Sequence, residues 1–493
     1  MYIYFMCAEA IDMKNHTLTK NHWLTLLLVA LLMLSSCTST TETLAEDTTV
    51  PADDTSAQTA ETEPQMPLKK VDYDGKTFVF WTSPDITAYL WSEEITGEIT
   101  ADTMYETELM CEEYFNAVIQ NEAQADTNNN TISDAVKTAV LAGDTSLHSA
   151  YGNVVNLAVM IPDNIFYDLN TVDAFDFTQP WWRQNSLEAL TLAGHLYLGC
   201  STITYAPLSM THVFFANKQL LNQFGMDVPY DVVREGKWTL DHVISITKDI
   251  YVDTDGDGIR SETDTYGYLG SWWSDMFATS SNCSLMQFTG DSNILKIAAD
   301  MDKWSSLVDT LYGWFYETDG ALVVNRPEPI FVKGTGVFGT GSIADAASTL
   351  RNSEIDYAIL PFPKYDENQD KYYSYARGFN FVIPVSVDDA SFAGNILEGL
   401  AYYRYNYVIP AYNETAIKGK LSDAPEDAEM IQIIIDAMTE PTDGVYGHFA
   451  MGQALNYLMP EKNRNFVSWY QSNLSNAESQ LTSLITYIQE QEG

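Results

Sequence analysis

Twelve consecutive residues carry the clearest chemistry in this chain: Asp253-Thr-Asp255-Gly-Asp257-Gly258-Ile259-Arg-Ser261-Glu262-Thr-Asp264. Calcium is a hard cation that takes six to eight oxygens, and a loop that binds it needs ligands at positions 1, 3, 5, 7, 9 and 12 around a sharp glycine turn. Counted from Asp253, those positions are Asp253, Asp255, Asp257, the Ile259 carbonyl, Ser261 and Asp264, with Gly258 at the turn. Glu262 is an alternative last ligand. An acidic surface turn is the plainer reading, since Asp-Gly pairs favour turns without any metal. One copy of the loop is present, which suits a structural calcium that staples a loop rather than a docking module.

Signatures of catalysis are missing. The cysteines show no CxxC spacing and the seven His residues form no HExxH, so a zinc hydrolase pattern is absent. No GxSxG, Walker A or strand-linked GxGxxG pattern stands out either. Carboxylate pairs are plentiful among 68 acidic residues, so their proximity in sequence says nothing about glycoside hydrolysis. The expectation is a protein that binds and performs no reaction.

The elements that must carry such a function lie in a chain of 493 residues, longer than one typical hydrophobic core supports, so two lobes or domains are expected. With 25 basic and 68 acidic residues the net charge is −43, which excludes phosphate-neutralising nucleic-acid binding. An apolar run at 24–34 follows Lys14 and Lys20 and is too short to span a bilayer. It leads into Leu34-Ser35-Ser36-Cys37, which resembles a bacterial lipobox; residues 1–36 then read as a signal peptide and Cys37 as the lipidated residue. Met13-Lys14 looks like a natural start, so 1–12 read as an upstream mis-start. Residues 37–68 read as a disordered acidic tether, with seven carboxylates and no Lys or Arg between 38 and 67. This places the globular part on the extracellular face of a cell membrane.

Within it, Lys76–Trp81, His195–Leu198, Val213–Ala216, Gly336–Gly339 and Tyr357–Leu360 read as strands. Residues 101–120, 135–142 and 239–248 read as helices, and the tail carries one apolar face through Leu474, Leu481, Leu484, Ile485 and Ile488. This alternation argues for α/β architecture. Cys111, Cys200 and Cys283 read as buried free thiols, with one disulfide among them the alternative.

Several stretches, in order, resemble extracellular solute-binding lipoproteins of sugar-type ABC importers, the group that includes maltose-binding proteins. They are Phe214-Phe215-Ala216-Asn217-Lys218 with Gly225, Pro229 and Gly236-Lys237-Trp238-Thr239-Leu240; Phe177 to Trp182 followed by Gly194-His195-Leu196-Tyr197; and Ile359-Leu360-Pro361-Phe362-Pro363-Lys364-Tyr365. Pro410-Ala411-Tyr412, Lys418 to Lys420 and Met430-Ile431 resemble a clostridial-type branch. The resemblance implies a type II periplasmic-binding-protein fold: two α/β lobes, a ligand cleft and crossover hinge strands. By analogy, lobe one holds 69–203 and 357–405, and lobe two holds 204–356 and 406–493. The implied partners are a carbohydrate ligand and ABC permease subunits. A cell-surface glycan-binding adhesin or sensor is the alternative, and a secreted glycoside hydrolase a remoter one. Sugar sites stack aromatic faces on sugar C–H surfaces and fix hydroxyls with carboxylates, amides and Arg. At strand ends and loops the candidates are Trp272, Trp273 and Asp275, then Arg377 and Tyr151, with Trp81 and Phe379 beside them. Trp181 and Trp182 are divided between packing and the cleft.

Overall fold

The computed structural model describes residues 66–491 apart from 129–130, 290–293, 377, 418–424 and 448–450. The expected signal segment, Cys37 and the tether up to residue 65 lie outside the described residues, as does Arg377. The tether expected to run through 68 ends earlier, because Met66 and Leu68 already pack on the first core.

Strands in chain order are Lys76–Thr82 (β1), Ala117–Ala123 (β2), Ser149–Asn153 (β3), His212–Asn217 (β4), Tyr251–Val252 (β5), Thr265–Ser271 (β6) and Met286–Thr289 (β7). Ile294–Ile297 (β8), Ala321–Val324 (β9), Gly336–Ser342 (β10), Tyr357–Leu360 (β11), Ser374–Tyr375 (β12), Phe379–Val382 (β13) and Met438–Thr439 (β14) come next. The first sheet has the order β13-β3-β1-β2, with β1 parallel to β2 and β3 and β13 antiparallel to β3. The second has the order β11-β4-β10-β6-β5, with β9 added to β6. In it β6, β9 and β10 run parallel while β4 returns antiparallel to β10. Central strands covered on both faces need continuous apolar runs. Phe78, Val79 and Phe80 in β1 and Val213 to Ala216 in β4 supply them, all buried. Period-two alternation sends Phe214 to one side of the second sheet and Phe215 to the other, into separate cores.

Three joints tie the lobes together. β12 and β14 pair in parallel, Ser374 with Met438 and Tyr375 with Thr439, where two segments cross from one lobe to the other. The hairpin β7–β8 leaves lobe two, yet its Met286 and Leu295 sit in the core of lobe one. The helix Phe466–Gln491 buries Phe466, Tyr470 and Ala477 in the core of lobe two and Leu481, Leu484, Tyr487 and Ile488 in that of lobe one. Two expected boundaries are corrected by these facts. Tyr357–Leu360, expected in lobe one, is hydrogen-bonded to β4 in the second sheet. Residues 406–493, expected wholly in lobe two, return to lobe one through Val445, Tyr446 and the second half of the last helix.

Local readings differ at two places. The helix expected over 101–120 is Ile99–Phe115; Asn116 takes a left-handed φ of 46° and ends it, so Val118 belongs to β2. His195–Leu198 is no strand: His195 makes an isolated bridge to Leu192. The cysteines Cys111, Cys200 and Cys283 are free and buried, so no disulfide forms among them.

Candidate functional site

Parallel strands in open α/β sheets direct their carboxyl ends toward ligand crevices. At the end of β6, the Trp272 N–H donates to the Val324 carbonyl at 2.9 Å and its indole Nε1 donates to the Val323 carbonyl at 3.3 Å. These bonds hold the ring along the strand end while 46% of Trp272 and 50% of Trp273 stay exposed. Large aromatics held this way by backbone, yet open to solvent, offer flat apolar faces that the fold itself does not consume. At the end of β1 in lobe one, Trp81 is half-buried, and its Nε1 donates to Glu122 Oε2 on β2 at 3.0 Å. Trp81 therefore presents an aromatic face beside a carboxylate.

The other sequence candidates are placed elsewhere. Tyr151 is 2% exposed, with its ring 5.8 Å from Phe381, and works as core. Phe379, at 1% exposed, is core as well. Asp275 opens the short helix Asp275–Ser280, and its Oδ1 accepts the Leu455 N–H at 2.9 Å. Asn456 Oδ1 in return accepts from the Ser274 and Asp275 N–H groups at 2.7 and 3.1 Å. The Oδ2 of Asp275 is shielded from solvent, and burial, aided by Asp443, pushes its carboxyl well above the usual range. Asp275 thus ties distant segments together through Oδ1, while its Oδ2 is shielded and has no hydrogen-bond partner among the described residues. Trp181 and Trp182 are buried, and their indoles converge on Glu398: Trp181 Nε1 donates to Oε1 at 2.7 Å and Trp182 Nε1 to Oε2 at 3.0 Å. Burial lifts Glu398 to about 8 against the opposing pull of those two donors.

Comparison with solved structures decides the architecture that carries this geometry. The fold is that of sugar-type solute-binding proteins. An ABC substrate-binding protein of Listeria monocytogenes in complex with cycloalternan matches with a TM-score of 0.52 at 13% identity, over 83% of this chain and 100% of its own. The maltose/maltodextrin-binding domain of Bdellovibrio bacteriovorus bound to maltotriose matches at 0.52 and 12% identity, over 82% and 100%. A cyclo/maltodextrin-binding protein complexed with maltotetraose matches at 0.55 and 11% identity, over 83% and 97%. No protein-family model matches the chain, and no curated protein matches it in sequence. No helix among the described residues is long and apolar enough to cross a membrane.

The acidic loop forms as a compact turn. Asp253 accepts the Gly256 N–H at 2.8 Å and the Gly258 N–H at 3.0 Å, and Asp257 accepts the Ile259 N–H at 2.6 Å. Gly256 and Gly258 take φ of 73° and 74°, a region that favours glycine. Carboxylate oxygens of Asp253, Asp255 and Asp257 lie within 4.8 Å of one another, so three of the six expected ligands converge. Asp264 does not join them. It is fully buried, with Oδ1 accepting from the Thr254 N–H and Oδ2 from the Ser261 N–H and the Tyr251 hydroxyl. The Ser261 hydroxyl is paired with Thr263. The first half of the loop therefore fits a hard cation, while its closing residue pins the loop to the sheet.

Arg326 and Glu328, just past β9, also sit at this end of the second sheet and went unread in the sequence. The signal was there: Leu322-Val-Val324 after Asp319-Gly320 is a β-branched run following a turn.

Proposed function

We propose that this protein is the substrate-binding component of an ABC importer: it captures a carbohydrate, an oligosaccharide, between its two lobes and hands it to membrane permease subunits. Support comes from one observation before all others. Two solvent-exposed indoles, Trp272 and Trp273, stand at a parallel-strand end of a fold shared with proteins solved in complex with cycloalternan, maltotriose and maltotetraose. Those structural neighbours are binding proteins, and this protein likewise performs no chemistry of its own. In this reading Cys37 carries the lipid, and residues 38–65 hold the lobes off the extracellular face of the membrane. Calcium in the Asp253–Asp257 turn is part of the same proposal, with the Ile259 carbonyl and water completing a shell that Asp264 leaves open.

The test is thermal melting of the protein beginning at Cys37 against a glycan library. A binder of the native state raises stability by RT ln(1 + [L]/Kd), about 2.7 kcal/mol at a hundredfold excess over Kd. A melting rise with glycans is expected. A rise with peptides or amines and none with glycans overturns the substrate class, and release of shortened sugars overturns the non-enzymatic reading.

A further inference from the structure

Asn325 and Arg326 emerge into solvent where β9 ends, before Pro327 and Glu328 start a short helical turn. The parallel register sets Ser271 opposite Val324, so this segment leaves the sheet beside Trp272 and Trp273. Besides the Trp272 N–H bond to Val324, the Ser271 hydroxyl donates to the Asn325 carbonyl at 3.3 Å, which fixes the two strand ends together. Arg326 has 56% of its side chain exposed, and Glu328 only 12%. Glu328 lies over the end of β10 at Gly341. A Cβ there would stand 3.0 Å from Glu328 Cγ and 2.7 Å from the Phe215 ring, so glycine is what admits the carboxylate. Among the described residues Glu328 Oε2 has no hydrogen-bond partner; it makes an ion pair with Arg326 Nε at 3.8 Å, beyond hydrogen-bond range. A shielded carboxylate oxygen lacking a donor is costly unless a partner arrives.

We propose that Arg326 and Glu328 are the hydroxyl-reading half of a subsite whose stacking half is Trp272 and Trp273, and that this subsite takes a neutral sugar ring in preference to an acidic one. The assignment rests on the proposed carbohydrate function. The indole faces cover sugar C–H surface, the guanidinium donates to hydroxyl oxygens, and the carboxylate supplies the complementary partner. Burial, with a contribution from Asp345, pushes Glu328 up to about 7, so near neutral pH it can either accept from or donate to a hydroxyl. Asp345 Oδ2 would lie 3.2 Å from a Cβ at Gly341, which puts a second carboxylate at the same strand end. A solute bearing a carboxylate or phosphate would bring its charge against both of these, with the single, more exposed Arg326 to offset them.

Isothermal titration of the wild type, Arg326→Ala and Glu328→Gln decides the matter, with maltotriose, cellotriose and xylotriose as neutral probes and trigalacturonate as the acidic one. Binding of at least one neutral probe is expected, weakened about tenfold in each variant, with trigalacturonate at least tenfold weaker than that probe, in line with charge-assisted hydrogen bonds. Glu328→Gln preserves shape, and Arg326→Ala changes an exposed position, so one folded variant suffices. Neutral binding undiminished in the folded variants overturns the subsite and leaves the carbohydrate reading standing. Preference for trigalacturonate does the same. A wild type that binds none of the four sugars sinks the carbohydrate reading and the subsite with it.

Discussion

Tryptophans in the core of lobe one and at the end of β6 in lobe two meet opposite surroundings, although lobe two also buries Trp238, Trp304 and Trp314 in its own core. In lobe one, Trp181, Trp182, Tyr151 and Phe379 are swallowed by the core; Glu398 satisfies two indoles and Glu108 holds Arg404 at 2.8 Å, while the Tyr151 hydroxyl finds no hydrogen-bond partner among the described residues. In lobe two, Trp272 and Trp273 at the end of β6 stay about half exposed, and Arg326 and Glu328 beside them make no hydrogen bond to each other. A tryptophan next to polar residues thus has two fates. Where a long-range element such as the helix Ala390–Asn406 crosses over it, it becomes core; where the strand simply ends, it remains surface. The second kind is where the proposed binding surface lies.

That contrast can be broken most forcefully in lobe one. Glu108→Ala leaves the fully buried Arg404 without its carboxylate partner, the Ile203 carbonyl remaining, and is expected to cost about 3–5 kcal/mol in urea unfolding, with glycan affinity per folded molecule unchanged. In lobe two the expected pattern is reversed. Trp272→Ala weakens glycan binding about tenfold, near 1.4 kcal/mol, and moves stability by no more than about 0.5 kcal/mol. A Trp272→Ala variant that melts far below the wild type would erase the distinction between the lobes.

A third handle is pH. Glu398 is raised in the folded state from 4.5 to about 8, so across that window the native protein keeps a proton that the unfolded chain has released. The folded state then binds more protons, and stability falls as pH rises from 4.5 through 8. Glu398→Gln cannot titrate, so the stability difference between wild type and variant should shift against the wild type over this range. A constant difference would mean that Glu398 titrates alike in the folded and unfolded states. Two smaller effects complete the series. Chelation should lower the melting temperature by a few degrees through the Asp253–Asp257 turn, and an unchanged melting curve would remove calcium from the account. Cys111, Cys200 and Cys283 should resist thiol reagents in the native protein, since burial raises all three and pushes Cys283 up to about 12.

Much of the architecture was legible because its signals are local. β1 and β4 are dense β-branched and aromatic runs, and the helix Leu240–Thr247 begins at Thr239, whose hydroxyl accepts the His242 N–H. The carboxylates of the acidic loop that converge do so within five residues, so spacing alone foretold them. What failed was non-local. Asp275 follows two tryptophans, but the partners that fix it, Leu455 and Asn456, lie about 180 residues further on and leave no local signal. Val118 followed helical spacing until Asn116 turned the chain into β2. Tyr357–Leu360 was assigned to the wrong lobe because a four-residue strand reveals nothing of its neighbour, and pairing with β4 decides where it belongs. The β6–β9 register, which sets Ser271 opposite Val324 and so brings the segment carrying Arg326 and Glu328 out at the same strand end as Trp272, could not be read from the sequence.

The most direct measurement is calorimetric titration of glycans into the wild type and into a Trp272→Ala, Trp273→Ala double variant. Saturable binding to the wild type, lost or weakened at least a hundredfold in a double variant that melts like the wild type, is the result this account requires. Equal affinity in both proteins, or no glycan binding to the wild type, would contradict it.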